Sequence, residues 1–298
     1  MKAGAGHSHP NPALLYTLIG LMQVFWTANF LIGKVALREF PALLAAGMRV
    51  ILALLCILPF YAWRVHGQGK WTRADLPRFL FLGLIAVGIN QVLFVVGLSR
   101  TSVAHCAILI ALTPLWVLLI AAARRLETIT ARKLAGMLAA LAGVVVLGLE
   151  RKGGAGPTIA GDLAILSAGA AFALFTVLGK EITDRHGSLT VNTFLYAFGA
   201  LLVAPVVVWQ GWSFPFASVS VEAWLALGYM AVFPSLVCYL IFYYALRYVA
   251  ASRLTTLGYL QPLAATLFGV LLLDERITAP LVAGGALIVA GVYLTERA

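Results

Sequence analysis

The chain repeats one pattern of residues at a spacing of 148 positions. Residues 126–130, Leu-Glu-Thr-Ile-Thr, recur as residues 274–278, Asp-Glu-Arg-Ile-Thr. A proline precedes each run and two glycines follow it: Pro114, Gly136 and Gly143 in the first copy, and Pro262, Gly284 and Gly291 in the second. An internal repeat in a chain with 62% hydrophobic residues is typical of membrane proteins built from two related halves that meet at a central site.

Ten apolar stretches are long enough to cross a membrane as helices. The hydrocarbon core of a bilayer is about 30 Å thick, so a helix that rises about 1.5 Å per residue needs about 20 apolar residues to span it. Backbone amides in lipid must be paired within the protein, and long continuous apolar runs favour helices over the alternating strands of a barrel. The predicted spans are residues 13–33, 42–63, 78–97, 103–123, 133–149, 160–182, 190–210, 223–246, 254–273 and 279–294.

The spans divide into two sets of five, which predicts an all-α polytopic membrane protein with ten transmembrane helices in two inverted repeats. Because five is odd, the second set enters the membrane from the opposite side. We assign residues 1–12 to a polar N-terminal tail, 13–150 to the first five-helix repeat and 151–298 to the second, within one integral membrane domain. The first span has a counterpart in the sixth and is too long for the apolar part of a cleaved signal, so we expect it to be retained.

The distribution of basic residues predicts the orientation in the membrane. If the connectors alternate between the two faces, fourteen of the 21 Lys and Arg residues lie on the face that holds both termini, and six lie on the other. Positive charge is enriched in cytoplasmic connectors, so both termini are predicted to be cytoplasmic in the cell (inner or plasma) membrane. The net charge of +10 therefore indicates anionic lipid headgroups as partners and not nucleic acid.

Matched motifs in the two copies carry a family resemblance. In the first copy these are Gly-Leu-Ser-Arg-Thr-Ser-Val-Ala at 97–104, Leu-Thr-Pro-Leu at 112–115, Glu127, Gly136 and Gly143. In the second copy they are Ala-Leu-Arg-Tyr-Val-Ala-Ala-Ser at 245–252, Gln-Pro-Leu at 261–263, Glu275, Gly284 and Gly291. This ordered set resembles the drug/metabolite transporter superfamily with two EamA-type repeats.

The resemblance implies a function and a way of moving. Ten-span bacterial members with cytoplasmic termini look like exporters of amino acids and related metabolites, and other members exchange sugar nucleotides or phosphate esters. In that family the hairpin of spans three and four and the hairpin of spans eight and nine move against the remaining helices. We therefore expect alternating access around a fixed central site.

Interrupted helices at matching positions of the two copies indicate where such a site lies, because broken backbone at membrane depth is tolerated only beside a cavity or inside the protein. Pro114 and Pro262 deprive the carbonyls of Ile110 and Gly258 of their helical donors. Those oxygens either accept from a substrate or are satisfied by neighbouring groups. The predicted hinge and gating residues are Gly88, Pro114, Pro234 and Pro262.

An aromatic and polar face on the first span suggests a binding site for an amphipathic organic molecule. Gln23, Trp26 and Asn29 lie within one arc of the helix, and Phe172 is the counterpart of Trp26 in the second copy. Ligand pockets are mostly apolar with a few polar groups that orient the ligand. The predicted substrate-binding residues are Gln23, Trp26, Asn29, Asn90, Thr113, Phe172, Phe175, Tyr239, Tyr259 and Gln261.

Few charges lie within the spans. Arg49 is the one deep cation, and it either binds a substrate carboxylate or has a structural hydrogen-bonding role. None of the eleven acidic residues lies in the middle of a span, and Asp162 is near the start of the sixth, so we expect no buried carboxylate for exchange of a proton against cargo. His105 is three residues from the start of its span and is predicted to be an interfacial histidine with satisfied hydrogen bonds, with a proton relay as the other interpretation.

These observations predict an inner-membrane transporter that exports small neutral or zwitterionic metabolites, foremost amino acids including aromatic ones. The alternatives within the class are a sugar-nucleotide or phosphate-ester exchanger and a broad drug exporter. An enzyme is not expected, because no nucleophile and base converge within the spans. The three cysteines have no metal-site spacing, so neither metal nor cofactor is predicted. We expect a monomer or a weak homodimer.

Overall fold

The structure, a computed structural model, describes residues 11–65, 71–125, 128–147, 149, 157–246, 248–249, 260–273 and 276–297. Within these ranges the regular secondary structure is helical. The α-helices are α1 (Pro12–Ala36), α2 (Ala42–Val65), α3 (Leu76–Leu82), α4 (Asn90–Ser99), α5 (Val103–Ile110), α6 (Thr113–Ala123), α7 (Ala131–Leu147), α8 (Ile159–His186), α9 (Ser188–Gly211), α10 (Val221–Val232), α11 (Cys238–Leu246), α12 (Leu260–Leu273) and α13 (Ala279–Glu296).

The helices follow the ten predicted spans in order. Seven spans are single helices, and three are composite: α3 with α4, α5 with α6, and α10 with α11. Seven helical stretches are long and apolar enough to cross a membrane, and α7, α12 and α13 are shorter. The all-helical fold predicted from the sequence is confirmed, while residues 254–259 of the predicted ninth span lie outside the described residues.

Ten crossings place both termini on one side of the membrane, which we call the terminal face. The turns after the first, third, fifth, seventh and ninth spans then lie on the other side, which we call the opposite face. The turn between α8 and α9 on the terminal face contains Gly187 with φ of 81°, a backbone conformation that residues with a side chain rarely adopt.

The repeated run of residues found in the sequence starts the last helix of each repeat. The hydroxyl of Thr130 accepts a hydrogen bond of 3.2 Å from the amide of Lys133 at the start of α7. Its counterpart Thr278 accepts one of the same length from the amide of Leu281 in α13. A side-chain oxygen at this position satisfies one of the unpaired amides of the first helical turn, which explains why threonine occurs in both copies.

The repeated glycines allow α7 and α13 to cross in close contact. A methyl group at Gly291 would lie 2.5 Å from the carbonyl oxygen of Gly136, and one at Gly143 would lie 2.6 Å from that of Gly284. Gly136 therefore packs against Gly291, and Gly143 packs against Gly284. Small residues that let two backbones approach are a common means of packing helices in membranes, and here they join the two repeats within one chain.

Each of two composite spans contains a π-helical segment. The first π-segment is Gly83–Ile89, between α3 and α4, and the second π-segment is Phe233–Val237, between α10 and α11. The two segments end 148 residues apart, at corresponding positions of the repeats. The predicted hinge residues Gly88 and Pro234 lie within them. Such segments widen the helix locally and frequently occur at functional sites.

The fourth span is interrupted just before Pro114. Helix α5 ends at Ile110 and α6 begins at Thr113, with Ala111 and Leu112 in a turn between them. The carbonyl of Ile110, which the proline deprives of its helical donor, accepts a 2.6 Å hydrogen bond from the Thr113 hydroxyl. Of the two interpretations of this carbonyl, the structure supports satisfaction by a neighbouring group. Gly258, its counterpart, lies outside the described residues.

Hydrophobic residues fill the interior and also cover much of the outer surface. Leu138 on α7 is 61% exposed, Leu271 on α12 is 65% exposed, and Trp212 at the end of α9 is 90% exposed. An apolar surface of this kind is expected of helices that face lipid chains. The interior contains two large hydrophobic clusters, one including Met22 and Tyr239 and the other including Phe30 and Ala107, and the central cavity is lined by residues of both.

Candidate functional site: a central cavity

A cavity of about 940 Å³, including open space at its mouth, lies among helices of both repeats. The part of this space that can hold the centres of water molecules is about 140 Å³. Polar side chains in the lining are Gln23, Asn29, Arg49, Asn90, Gln91, Thr113, Tyr239 and Gln261. Apolar residues in the lining are Met22, Trp26, Phe30, Phe94, Ala107, Ile110, Ala111, Pro114, Phe172 and Phe242.

Most of the candidate residues identified from the sequence meet at this cavity, although they come from seven different helices. They are Gln23, Trp26, Asn29, Arg49, Asn90, Thr113, Pro114, Phe172, Tyr239 and Gln261. Phe175 is not among the residues that line the cavity. Its ring is fully buried directly behind the lining, 6.3 Å from the ring of Phe172 and 6.2 Å from that of Tyr239. Tyr259 lies outside the described residues.

Arg49 is held at the cavity wall by a residue of the second π-segment. Its Nε donates a 2.6 Å hydrogen bond to the Ser235 hydroxyl, and its guanidinium lies 5.7 Å from the centre of the Phe94 ring. The residue is 3% exposed, yet its Nη1 has no hydrogen-bond acceptor among the described residues. A buried cationic donor without a partner is costly, so this nitrogen is suited to receive an anionic group in the cavity.

Ser235 connects Arg49 to the π-segment and to the second repeat. Its hydroxyl donates a 2.7 Å hydrogen bond to the carbonyl of Met230, and its own carbonyl accepts a hydrogen bond from Tyr196 on α9. The position of the guanidinium therefore depends on the geometry of the second π-segment. A change at this segment would move the cation in the cavity.

Amide and hydroxyl groups form a network across the boundary between the repeats. Gln91 donates a 3.3 Å hydrogen bond to the hydroxyl of Tyr239, which lies 148 residues later and is its counterpart in the second copy. The Tyr239 hydroxyl is 3.4 Å from Asn90 Oδ1, and Gln261 donates to the side-chain carbonyl of Gln23. Polar groups of the two repeats thus meet at the centre of the molecule.

Asn29 supplies an acceptor that the network leaves unused. The residue is 3% exposed, and its Oδ1 has no hydrogen-bond donor in the part of the chain that the structure describes. Two residues of the cavity lining therefore contain a buried polar atom without a partner among the described residues: a cationic donor on Arg49 and a carbonyl acceptor on Asn29. Together these atoms complement a molecule that carries both an anionic acceptor and a hydrogen-bond donor.

Aromatic rings form the wall around Trp26. Its ring centre lies 6.0 Å from that of its repeat counterpart Phe172, 6.2 Å from Tyr239 and 5.8 Å from Phe242, with the first two pairs nearly perpendicular. The indole nitrogen donates a 3.2 Å hydrogen bond to the carbonyl of Pro234 in the second π-segment. These contacts fix the indole, so the wall is a firm apolar surface for a flat side chain.

Several lining residues were missed by the sequence analysis. Phe94 lies four residues after Asn90 and so on the same side of α4, a spacing that was available as a signal. Gln91 follows Asn90 directly and was not assigned to the site. Phe242 carries no signal of its own, because the eighth span contains apolar residues on every side and only the packing selects the one that faces inward.

The proline at the interruption of the fourth span gives a testable expectation. An alanine at position 114 would supply an amide that donates to the Ile110 carbonyl, so Pro114→Ala is expected to favour a continuous helix. A cysteine introduced at Ala111 is labelled with a thiol reagent added at one face of the membrane. We expect Pro114→Ala to change the rate of this labelling by at least about twofold. Pro59→Ala is the matched control, because Pro59 lies within the uninterrupted helix α2. Equal labelling in all three proteins would show that Pro114 is a passive kink.

The other predicted hinge residues have different surroundings. Gly88 packs tightly in the first π-segment, where an added methyl group would lie 2.5 Å from the side chain of Leu202 on α9. Pro262 is buried in the first turn of α12. Both residues stay predicted gating residues.

One sequence expectation about charge is wrong. The sequence led us to expect no buried carboxylate. Asp162 is nevertheless only 4% exposed, and its carboxylate lies 3.4 Å from Nδ1 of the fully buried His105. The two residues are 57 positions apart in the chain, so their pairing was not visible in the sequence. His105 is buried within the protein but lies in the first turn of α5, near the end of its span, as expected from the sequence.

Comparison with known proteins finds the same family in each half of the chain. Residues 13–149 and 159–297 each match the EamA-like transporter family. An Archaeoglobus fulgidus protein named as an uncharacterized transporter is 27% identical over 284 residues, which cover 94% of this chain and 96% of that protein. YedA of Escherichia coli K12, named as an uncharacterized inner membrane transporter, is 26% identical over 258 residues, which cover 86% of this chain and 81% of YedA.

A solved crystal structure shares the fold. It aligns with a TM-score of 0.64 and 18% sequence identity, covering 95% of this chain and 96% of its own. Three observations agree that the chain consists of two related halves: the two matches to the family, the order of the helices, and the contacts between the repeats. This chain is a multi-pass membrane protein, and it belongs to the EamA-like transporter family of the drug/metabolite transporter superfamily.

Proposed function

We propose that this transporter exports small neutral or zwitterionic metabolites, foremost amino acids including aromatic ones, across the inner membrane by alternating access. The observation that carries the proposal is that Arg49 and Asn29, which both line the cavity, each contain a buried polar atom, Nη1 and Oδ1, without a partner among the described residues. A carboxylate fits the first and an ammonium group fits the second. An α-amino acid carries both groups on one carbon atom.

The aromatic wall supports the inclusion of aromatic amino acids. Trp26, Phe172 and Phe242 lie on the cavity surface with mutual ring distances of 5.3 to 6.0 Å. Aromatic pairs contribute about 0.5 to 1.5 kcal/mol beyond the burial of apolar area, so a substrate ring gains from this surface. Smaller amino acids would bind through the two polar atoms alone.

The charge of the cavity favours this substrate class over the alternatives. Arg49 is the one basic residue in the lining formed by the described residues, which also contains no acidic residue. Sugar nucleotides and phosphate esters carry two or more negative charges and call for several converging cations. Cationic drugs call for a carboxylate in the site. These two classes are the outcomes that would replace the proposal.

The orientation and direction of transport belong to the proposal as well. The excess of Lys and Arg on the terminal face supports cytoplasmic termini, and the name of YedA supports the inner membrane. Export follows from the resemblance to exporters within the superfamily. The two π-segments, at matching positions of the repeats, support rocking of one helix group against the other.

The test is efflux from proteoliposomes loaded with equal concentrations of amino acids, sugar nucleotides and cationic dyes, with or without a pH gradient, measured by mass spectrometry. Selective loss of neutral amino acids is the expected result. Selective loss of sugar nucleotides or of dyes would replace the proposal with the corresponding alternative. Liposomes without protein provide the baseline for passive leak.

Removal of either ring of the aromatic wall should reduce transport without unfolding the protein. Trp26→Ala and Phe172→Ala are each expected to lower the efflux of phenylalanine about two- to tenfold, since an aromatic contact contributes about 0.5 to 1.5 kcal/mol. Trp212→Ala is the matched control, because Trp212 is 90% exposed and far from the cavity lining. Full transport by both cavity variants would remove these residues from the site.

A further inference from the structure

A second group of buried polar residues lies at the opposite face, outside the cavity lining. Nδ1 of His105 lies 3.4 Å from both carboxylate oxygens of Asp162. The hydroxyl of Thr101 donates a 2.7 Å hydrogen bond to Asp162 Oδ1, and the ammonium group of Lys34 donates a 2.6 Å bond to the carbonyl of Thr101. We call these four residues the opposite-face cluster.

The cluster joins parts of the molecule that alternating access must separate. His105 is in the first turn of α5, Asp162 is in the first turn of α8, and Lys34 is in the last turn of α1. In the family mechanism the hairpin containing α5 moves against the helices that include α1 and α8. A bond between His105 and Asp162 therefore holds the hairpin against the second repeat at this face.

The cluster is close to the site in which substrate would bind. Helices α5 and α8 both contribute to the cavity lining, through Ala107 and Ile110 on α5 and Phe172 on α8. Separation of their first turns would therefore loosen, at the opposite face, a helix pair that also bounds the cavity.

The charged residues on the helices packed against α5 can be named within the part of the chain that the structure describes. Helix α8 contributes Asp162 and α1 contributes Lys34, while the described parts of α4 and α12 contain no charged residue. Helix α13 contains Glu296, at its last position and therefore at the terminal face. Among these described groups, the imidazole lies next to the Asp162 carboxylate, and the partly exposed Lys34 lies beyond Thr101.

Asp162 accepts a hydrogen bond from the Thr101 hydroxyl and lies in the first turn of α8. Imidazole is the side chain whose ordinary titration range includes neutral pH. In this pair the imidazole is therefore the candidate for the group that binds a proton.

We propose that His105 and Asp162 form a proton-binding site that closes the opposite face of the transporter when the proton is bound. With the proton, an imidazolium faces a carboxylate across the boundary between α5 and α8, and their attraction is strong in a buried setting. Without it, a neutral imidazole attracts the carboxylate less, and the two helices separate more readily. Low pH then favours the closed face and high pH the open one.

The test measures access to the cavity and does not require a known substrate. In a background in which Cys56, Cys106 and Cys238 are replaced by alanine, a cysteine is introduced at Ala111, which lines the cavity. The full-length protein in liposomes is labelled with a membrane-impermeant thiosulfonate at about pH 5.5 and about pH 8, on either side of the ordinary imidazole pKa of about 6.5. Ser218→Cys, in the exposed turn before α10, reports intrinsic reactivity at the same face.

The expected result is labelling at position 111 that is at least about fivefold faster at the higher pH, after division by the rate at position 218. His105→Gln and Asp162→Asn should each reduce this ratio to within about twofold of one. His186→Gln is the matched control, because His186 also faces an aspartate, Asp75, at 3.5 Å but at the terminal face. It should keep the pH response.

Two results would overturn the proposal: a pH response that persists in both His105→Gln and Asp162→Asn, or one that His186→Gln abolishes equally. If either cluster variant is poorly folded, the unfolding temperatures of the wild-type protein and of Thr101→Val are compared at the two pH values instead. The protein should then unfold at higher temperature at the lower pH, with a smaller difference in the variant that lacks the Thr101 hydroxyl. This test measures labelling of a cysteine and uses no substrate. Its outcome is therefore independent of the proposal about which substrate is transported.

Discussion

Replacing Arg49 by glutamine is expected to lower the transport of neutral amino acids about 10- to 100-fold while the protein stays folded. The estimate follows from the loss of one hydrogen bond to a charged group, about 1.5 to 3 kcal/mol, at about 1.4 kcal/mol for each factor of ten. Stability should change little, because glutamine removes a buried charge and Ser235 keeps its bond to the Met230 carbonyl.

The comparison of two substrates separates recognition from structure. Phenylalanine and phenethylamine, which lacks the carboxylate, are supplied together, and the ratio of their transport rates is measured in the wild type, Arg49→Gln and Arg49→Lys. The ratio should fall in the glutamine variant and be partly retained in the lysine variant, which keeps the charge but not the planar group. A loss that affects both molecules equally would assign Arg49 a structural role only.

Placing a methyl group at Gly291 is expected to destabilise the protein by about 1 to 3 kcal/mol, the usual effect of extra volume in a tightly packed interior. The new carbon would lie 2.5 Å from the Gly136 carbonyl oxygen and 2.5 Å from the Ala140 amide nitrogen. These are backbone atoms, so the helices α7 and α13 must move apart. The measurement is the temperature of unfolding in detergent, followed by tryptophan fluorescence.

Gly228→Ala is the matched control for this substitution. Gly228 is also in the middle of a helix, α10, but no heavy atom lies within 4 Å of the position that a methyl group would take. Alanine favours the helical conformation, so this variant should unfold at the same temperature or slightly higher. If Gly291→Ala were equally stable, the close contact between α7 and α13 would not be a source of stability.

The arrangement of the spans was predictable because it depends on patterns along the chain. Length and hydropathy identify the spans, and the odd number in each copy requires that the second is inverted. The faces of helices were partly predictable, since Trp26 and Asn29 share one side of α1. Phe175 shows the limit of this reasoning: it lies three positions after Phe172 and contacts its ring, yet it is buried behind the cavity lining, a difference in depth that helix spacing does not give.

Contacts between distant parts of the chain were not predictable from the same patterns. Asp162 occurs near the end of a span, where a carboxylate ordinarily reaches water, and its burial depends on the docking of α5 against α8. Arg49 was identified as a deep cation, but its partner Ser235 is 186 residues away in the second π-segment. Both cases depend on tertiary packing, for which a single sequence gives no spacing rule.

Residues at the centre of the molecule contact their own counterparts in the other repeat. Gln91 meets Tyr239, and Trp26 meets Phe172. If the two halves were identical, half a turn about an axis in the membrane plane would exchange the two faces and leave the molecule unchanged. The state open to one face and the state open to the other would then have equal free energy in a symmetric bilayer. Because the paired residues differ, the resting preference of this transporter is determined by the differences between its halves.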